Sequence, residues 1–554
     1  MDLADLDTVP PQPHFDSLSC SDGPPTRDEI SYSLTKLKNH KSPGVDGITN
    51  EQLKYGASAL VDQLECLFKK VWEEETVPED WLKGVIIVIG KKGDTSVCGN
   101  NRGITLRSTA SKLFQMILLK RLHAGMECLL RENQCGFRQN RSCIDQIYSL
   151  RTIIHNCLEF NIPLFINFVD FKAAFDSIRR DFIWCSMRHY GLPEKYVRIF
   201  QSFFGGTMSA VRVNGELTDW FDVNSGTGQG DIQAPPVFNF CLNFSAYLAE
   251  TNKTISQGAV LQKEMKTVEE KVILDTDYAD DMAIMDNSGE GLQESTDLLV
   301  HYSSYAGLRI NAKKTQCMAV SKCASQRPFI KDDCIELSVE GEPVEQVSNF
   351  VYLGATISGD GTIDRDLDVR IQKANGAFHQ LWNIWNSRTI KTPTKIRIYR
   401  AAVLTILLYG AEVWNTTKKQ MKRFEVFHQT SLRRILRIKW FFHVTNEEVL
   451  RRAGIKSVET FISAARLRWY GHVVRMPDSR LPRFLLNWKP NYGKRSRGRP
   501  RKNWKTCVLE DAAKFTGVEN IDNNTTEALA TNRVQWRHML RRQRDVCDAG
   551  HSND

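Results

Sequence analysis

The sequence predicts an α+β fold: an antiparallel sheet backed by helices, followed by a basic, helical carboxyl-terminal portion. Three observations predict it. Four short segments, 84–89 (GVIIVI), 164–170 (LFINFVD), 282–285 (MAIM) and 350–353 (FVYL), have apolar cores and the β-branched and aromatic content of strands. Strands and helical stretches alternate irregularly, which fits an antiparallel sheet better than a doubly wound βαβ series. Beyond Asp364 the periodicity becomes helical, with Leu367, Ile371, Ala374, Phe378, Leu381 and Trp385 on one face.

At 554 residues the chain is too long for a single core, and with 42% hydrophobic and 25% charged residues it has an ordinary globular composition. Residues 1–26 are rich in Pro, Asp and Ser and read as a disordered tail. Thr26 then opens a helix, with Glu29 completing a capping box and Ile30, Leu34 and Leu37 on one face. A helix over 292–306 closes at Gly307. Farther on, Met421, Phe424, Phe427, Leu432 and Leu436 recur at helical spacing beside Lys418, Lys419, Lys422, Arg423, Arg433, Arg434 and Arg437, a basic helical bundle.

Lys and Arg exceed Asp and Glu by 74 to 65, for a formal charge of +9. That balance suits a polyanionic partner, though weakly by itself. The 14 cysteines show no Cys-x-x-Cys spacing and read as reduced thiols of an intracellular protein. The acidic start, Asp2, Asp5 and Asp7, is unlike a secretory signal. The most apolar stretch, 401–409, is about half of what a bilayer span needs, so no membrane partner is expected.

Tyr278-Ala279-Asp280-Asp281 puts adjacent carboxylates at a tight turn before a strand, where both can approach one ion. Alone, such a pair is an ordinary exposed turn. Asp170, however, ends the most apolar strand, and a carboxylate there is costly unless paired or bound to a cation. Two Mg²⁺ ions shared by Asp170, Asp280 and Asp281 would answer both, as phosphoryl transfer requires.

The order FVDFKAAFDSI, SGTGQG, YADD, GLRINAKKT and FVYLGATIS resembles the successive palm motifs of the reverse transcriptases of non-LTR (LINE-type) retrotransposons. Upstream, KSPGVDGITNEQLK, GKKGD with NNRGITLRSTASKLF, and QCGFRQNRSCIDQI resemble the fingers of that family; downstream, LLYGAEVW and RLRWYGHVVRMPDSR resemble the segments carboxyl-terminal to its polymerase. The resemblance spans residues 41–511. It implies a right-hand polymerase with fingers at 27–160, palm at 161–365, thumb at 366–450 and a basic nucleic-acid-binding region at 451–554. The implied activity is RNA-directed DNA synthesis from dNTPs with two Mg²⁺ ions, or Mn²⁺ in their place, on an RNA template and a DNA primer, in nucleus and cytoplasm.

Carried onto this sequence, the resemblance implies Asp170, Asp280, Asp281 and the Phe171 carbonyl as metal ligands. Phe175 would lie under the incoming sugar, and Gln229 and Gly230 would line the nascent base pair. Lys91 and Arg102 would grip the triphosphate, and Lys314 would donate a proton to pyrophosphate. Tyr352, Leu353 and Gly354 would hold the primer terminus, a plain core hairpin being the alternative for FVYLG. YADD and Phe175 both argue against a viral RNA-dependent RNA polymerase, which usually has Gly-Asp-Asp and no such aromatic. Two features depart from the family: Gly228 stands where Arg usually precedes Gln-Gly, and Asp231-Ile232-Gln233-Ala234-Pro235 replaces Cys-x-x-Ser-Pro. They leave open a second reading, a decayed copy that only binds nucleic acid.

Between Lys489 and Lys505 there are eight Lys or Arg and no acid. Arg495, Arg497, Arg499, Arg501 and Lys502 are candidates for phosphate contact, with Trp488, Tyr492 and Trp504 as base-stacking faces. A solvated or nuclear-targeting basic run is the bland alternative. His472 has no Cys partners and reads as a core or surface residue. No endonuclease or zinc knuckle is recognisable, so the sequence reads as a polymerase fragment.

Overall fold

The computed structural model describes residues 18–545, apart from 57, 92, 255–258, 263–270, 274, 322–334, 496 and 520. Of the expected amino-terminal tail, residues 1–17 lie outside the described residues. From Leu18 on the chain is pinned: Leu18 N–H donates to the Gly191 carbonyl, and the Tyr196 hydroxyl and the Arg121 guanidinium donate to the Ser21 and Gly23 carbonyls. The first helix, Arg27–Lys36, begins with the expected capping box, in which Thr26 and Glu29 satisfy each other's backbone N–H groups.

The architecture is mixed α/β. In one sheet, strand Lys83–Gly90 runs antiparallel to Asn101–Leu106 and parallel to Met208–Val213. The central sheet holds Phe165–Val169 in the middle, flanked by Gln316–Ala319 and by Asp281–Asp286, which pairs in turn with Asp275–Tyr278. These pairings are antiparallel, as expected. The parallel pairing in the first sheet and that of Glu345–Gln346 with Gln316–Ala319 were not legible from the pattern.

Alternation along the central strands sends their side chains into two different cores. Val169, Met282, Ile284 and Cys317 pack with the amino-terminal helices and with Ala234–Thr251 and Gly289–Tyr305. Ile166, Phe168, Ala283, Met285 and Met318 pack with helix Cys143–Phe160, hairpin Asn349–Ser358 and the carboxyl-terminal helices. Burial on both faces explains why these strands are apolar throughout rather than alternating. A third core, with Leu367, Phe378, Trp385, Tyr399, Trp414 and Phe424, unites the helices between Ile363 and Ile462.

The carboxyl-terminal helices dock on helix Cys143–Phe160, which shares a core with the central sheet. Trp469 and Trp504 meet Tyr148 edge-on at 6.0 and 4.9 Å, and the Trp504 indole N–H donates to the Glu412 carbonyl. Arg480 reaches buried Asp145 at 2.5 Å. Trp488 and Trp504 are 7% and 8% exposed, which corrects the expectation that they offer stacking faces: they fill the core beneath the basic run. Among the described residues no helix is long and apolar enough to cross a membrane.

One buried charge cluster anchors the strand leading into the Asp280 turn. Arg131 contacts Asp275 and Asp277 at 2.7 Å each, and Asp277 is fully buried. Arg131→Met would leave both carboxylates without their cation, a change that costs about 3–5 kcal/mol. Urea unfolding followed by tryptophan fluorescence is expected to show a loss of that size, and a loss under about 1 kcal/mol would mean that the cluster is compensated some other way.

Candidate active site

Strand register gathers the carboxylates. Val169 pairs with Met282 in an antiparallel ladder, so Asp170, one residue beyond, comes alongside Asp281 at the start of the neighbouring strand. Asp170 is fixed from the next segment. Its N–H donates to Thr315 Oγ1 at 3.2 Å, its carbonyl accepts from Asn311 N–H at 2.7 Å, and its carboxylate accepts from Asn311 Nδ2 at 3.2 Å. Phe171 bridges to Ile310 and is buried. Lys314, largely exposed, holds its Nζ 3.9 Å from the Asp170 carboxylate.

The turn before Asp280 is strained and clamped. Ala279 has φ +58°, which disfavours any residue but glycine, and is buried at 4% exposure. Gln134 Oε1 accepts from the Ala279 and Gly136 N–H groups at 2.8 and 2.7 Å, Gln146 Nε2 donates to the Asp277 carbonyl at 2.8 Å, and Cys135 N–H donates to the same carbonyl at 2.9 Å. Gly136 must be glycine, since a Cβ there would collide with the backbone nitrogen of Ala279. Sequence reasoning noticed this run, QCGFRQNR, but did not single out Gln134, Gly136 or Gln146 as the residues that hold the turn.

Electrostatics mark the cluster as short of positive charge. Burial pushes Asp281 up to about 6, and the neighbouring Asp280 and Asp170 push it the same way. Asp280 is raised by burial and by Asp170, with Arg102 as the opposing cation. Among the described residues, no three His, Cys, Asp or Glu side chains already enclose a single metal position. The donor set nonetheless suits a hard divalent cation: all oxygen, crowded and mutually repelling.

A glycine loop stitches the two sheets together at the same place. Gly226 N–H donates to the Ile178 carbonyl and Thr227 N–H to that of Phe175, both at 2.9 Å, while the Gln229 carbonyl accepts from Thr105 N–H at 2.7 Å. Gly230, at φ +108°, would place a Cβ 2.9 Å from the Thr105 carbonyl oxygen, so the backbones approach too closely for a side chain. Asp231, the departure from the family pattern, is buried and paired at 3.3 Å with Arg107, which comes from the end of the strand carrying Arg102.

Phe175 is half-buried, stacked on Phe238 at 4.3 Å with Phe137 edge-on at 6.2 Å. Lys91 is close enough to oppose the burial that raises Asp176. Asp170, Asp280, Asp281, Arg102 and Lys314 thus act on one another, Phe171 follows Asp170 and Lys91 faces Asp176, while Gln229 and Gly230 lie against Thr105 and Phe175 against Phe238. Tyr352 does not join them with its side chain: it is buried against Phe168, and its hydroxyl donates to the Thr276 carbonyl at 2.7 Å. Leu353 and Gly354 form the hairpin turn at positive φ, tied by Tyr409 and Arg370 to their carbonyls.

In the basic run, Arg495 pairs with Glu159 at 2.6 Å, Arg501 donates to the Asp360 carbonyl at 2.8 Å, and Lys502 pairs with Glu510 at 2.7 Å. Arg497 and Arg499 are exposed. The run is thus a strap across the core with two arginines directed outward.

A family model described as reverse transcriptase (RNA-dependent DNA polymerase) matches residues 89–357, and a domain of unknown function matches residues 377–409. The chain is 26% identical, over 84% of its length and 50% of the relative's, to a probable RNA-directed DNA polymerase from transposon BS of Drosophila melanogaster. It is 22% identical to the RNA-directed DNA polymerase from mobile element jockey of the same species, over 76% of this chain and 45% of that one. A retrovirus-related Pol polyprotein from a type-1 retrotransposable element R2 of Popillia japonica is 23% identical over 76% and 56% of the two chains. The chain spans about half the length of these curated relatives. Residues 89–357 thus match the reverse transcriptase family, and the relatives to which the chain is similar come from transposable elements.

Proposed function

We propose that the chain copies RNA into DNA from dNTPs. The observation that carries this reading is the strand register that sets Asp170 beside the Asp280–Asp281 turn, where three carboxylates repel one another. Two Mg²⁺ ions held by Asp170, Asp280, Asp281 and the Phe171 carbonyl would activate the primer 3′-hydroxyl and neutralise the triphosphate. The remaining work falls to this chain's own side chains. Lys91 and Arg102 hold the triphosphate from the first sheet, as a point charge and a planar fork. Gln229 and Gly230 line the new base pair. Lys314, beside Asp170, gives a proton to the departing pyrophosphate. Leu353 and Gly354 support the primer terminus with their backbone, and Tyr352 supports them from the core.

In this reading the fingers occupy 27–160, the palm 161–365 and the thumb 366–450. The region 451–554 reinforces the palm from behind and offers Arg497 and Arg499 to phosphates. The altered Gln-Gly loop does not lack a cation: the Arg107 guanidinium pairs with Asp231 and lies 3.9 Å from where a side chain at Gly228 would begin. That favours a working polymerase over a decayed copy.

Asp280→Asn keeps the shape of the side chain and removes the charge. Primer extension on an oligo(dT)-primed RNA is expected to fall by about 10³-fold, with primer–template affinity nearly unchanged. Extension above a tenth of wild type would show that Asp280 holds no metal.

Phe175→Ala tests the sugar contact. If the ring occupies the space of a 2′-hydroxyl, single-nucleotide insertion of GTP relative to dGTP should rise at least tenfold, about 1.4 kcal/mol of lost discrimination. Because Phe175 also stacks on Phe238, thermal melting of the variant is measured alongside. Lower stability without any gain in ribonucleotide use would make the ring a core residue only.

A further inference from the structure

Three consecutive aromatics in the helical region, Trp440, Phe441 and Phe442, are 84%, 54% and 59% exposed. Exposure of this size on adjacent large rings is unusual enough to call for a ligand. The turn that carries them is tied down on both sides. It is bracketed by two residues at positive φ, Arg437 (+58°) and His443 (+46°), and closed by Phe442 N–H donating to the Lys439 carbonyl at 3.1 Å. On either side, Ile438 and Val444 pack into the third core, so the flanks are anchored inward while the three rings point out. Arg433 donates to the Val444 carbonyl at 2.9 Å and Arg437 to that of Asn386 at 2.6 Å, which ties the turn to the body of the bundle.

Among the described residues the rings stack only with each other. Trp440 and Phe441 meet edge-on with centroids 5.9 Å apart, and Phe441 and Phe442 are tilted by 54° at 4.7 Å. Their surroundings are cationic: residues 433–456 hold seven Lys or Arg against two Glu, and one of these, Glu448, is already paired with Arg451 and Arg452. Arg434, Arg437 and Lys439 are exposed on the approach to the turn.

We infer that the 440–442 turn is a stacking platform for unpaired nucleotides of a single strand. Aromatic rings fixed beside cations bind bases by their faces and the backbone by its charge, without regard to sequence. A second protein surface would match the rings but not the surplus of cations. The inference rests on the reading of the chain as a nucleic-acid polymerase, and it adds a contact for the strand outside the duplex.

The test compares the full chain with the W440A/F441A/F442A variant and with an F441Y/F442Y variant that keeps the rings. Fluorescence anisotropy measures binding to 15-mer oligo(U), 15-mer oligo(dT) and a blunt RNA–DNA heteroduplex, with melting temperature as the control for folding. Stacking predicts that the triple variant loses at least about tenfold in affinity for both oligonucleotides. Its heteroduplex affinity and melting temperature should stay unchanged, and the tyrosine variant should bind like wild type. Loss confined to oligo(U) would narrow the site to RNA and overturn the sugar-independent stacking account. Unchanged oligonucleotide affinity overturns the inference, as does a change from dimer to monomer in sedimentation with affinity unchanged, which would give the rings to a second copy of the chain. If wild type extends a primer while the triple variant binds single strands normally, only this inference fails. If wild type binds neither oligonucleotide nor primer–template, the polymerase reading fails with it.

Discussion

Everything at the candidate site depends on one antiparallel ladder, that between Phe165–Val169 and Asp281–Asp286. Because both strands are buried on both faces, neither can slip by a residue without sending apolar side chains into the wrong core. That constraint fixes Asp170 at the end of one strand against Asp281 at the start of the other. Like charges are thereby forced together, a cost that a fold retains only where a cation or a chemical role offsets it. The strained Ala279 turn is held by the same kind of constraint: a buried clamp of Gln134, Gly136 and Gln146 keeps it where a free chain would relax.

The two sheets meet through backbone as well as through side chains, the latter where Lys91 faces Asp176 and Arg102 faces Asp280. The loop at 225–230 joins the Phe175 turn to the strand that carries Arg102, and its glycines permit approaches that no Cβ would tolerate. The carboxyl-terminal helices contribute from behind: Trp469 and Trp504 pack on Tyr148 of helix Cys143–Phe160 and Trp536 on Tyr470, in the core that the central sheet shares on the side opposite the amino-terminal core. Their basic strap, which composition alone presents as a solvated run, is tied down by Glu159, Glu510 and the Asp360 carbonyl.

Much of this was legible in the sequence because its signals are local. The four strands, the Thr26 capping box, the helical face from Leu367 to Phe378 and the carboxylates at strand ends each declare themselves within a few residues. The features that were not legible depend on partners far away in the chain. Gln134 holds Ala279 across 145 positions, and Arg480 reaches Asp145 across 335. No spacing rule links such residues. Trp488 and Trp504 look like stacking aromatics because their neighbours are basic, yet burial is decided by what packs opposite them, Tyr148 for Trp504. The direction of the Tyr352 side chain was not legible for the same reason, since the fate of its hydroxyl lies with Thr276. The 440–442 turn is the converse case, three consecutive aromatics that the fold leaves outside.

The central claim is that Asp170, Asp280 and Asp281 together form one divalent-metal centre. Electron paramagnetic resonance of Mn²⁺, titrated into the full chain with primer–template and a non-hydrolysable dNTP, tests it most directly. The account predicts saturable binding of two ions per chain, with binding lost in an Asp170→Asn, Asp280→Asn double variant that melts like wild type. Equal Mn²⁺ binding by wild type and variant would contradict it.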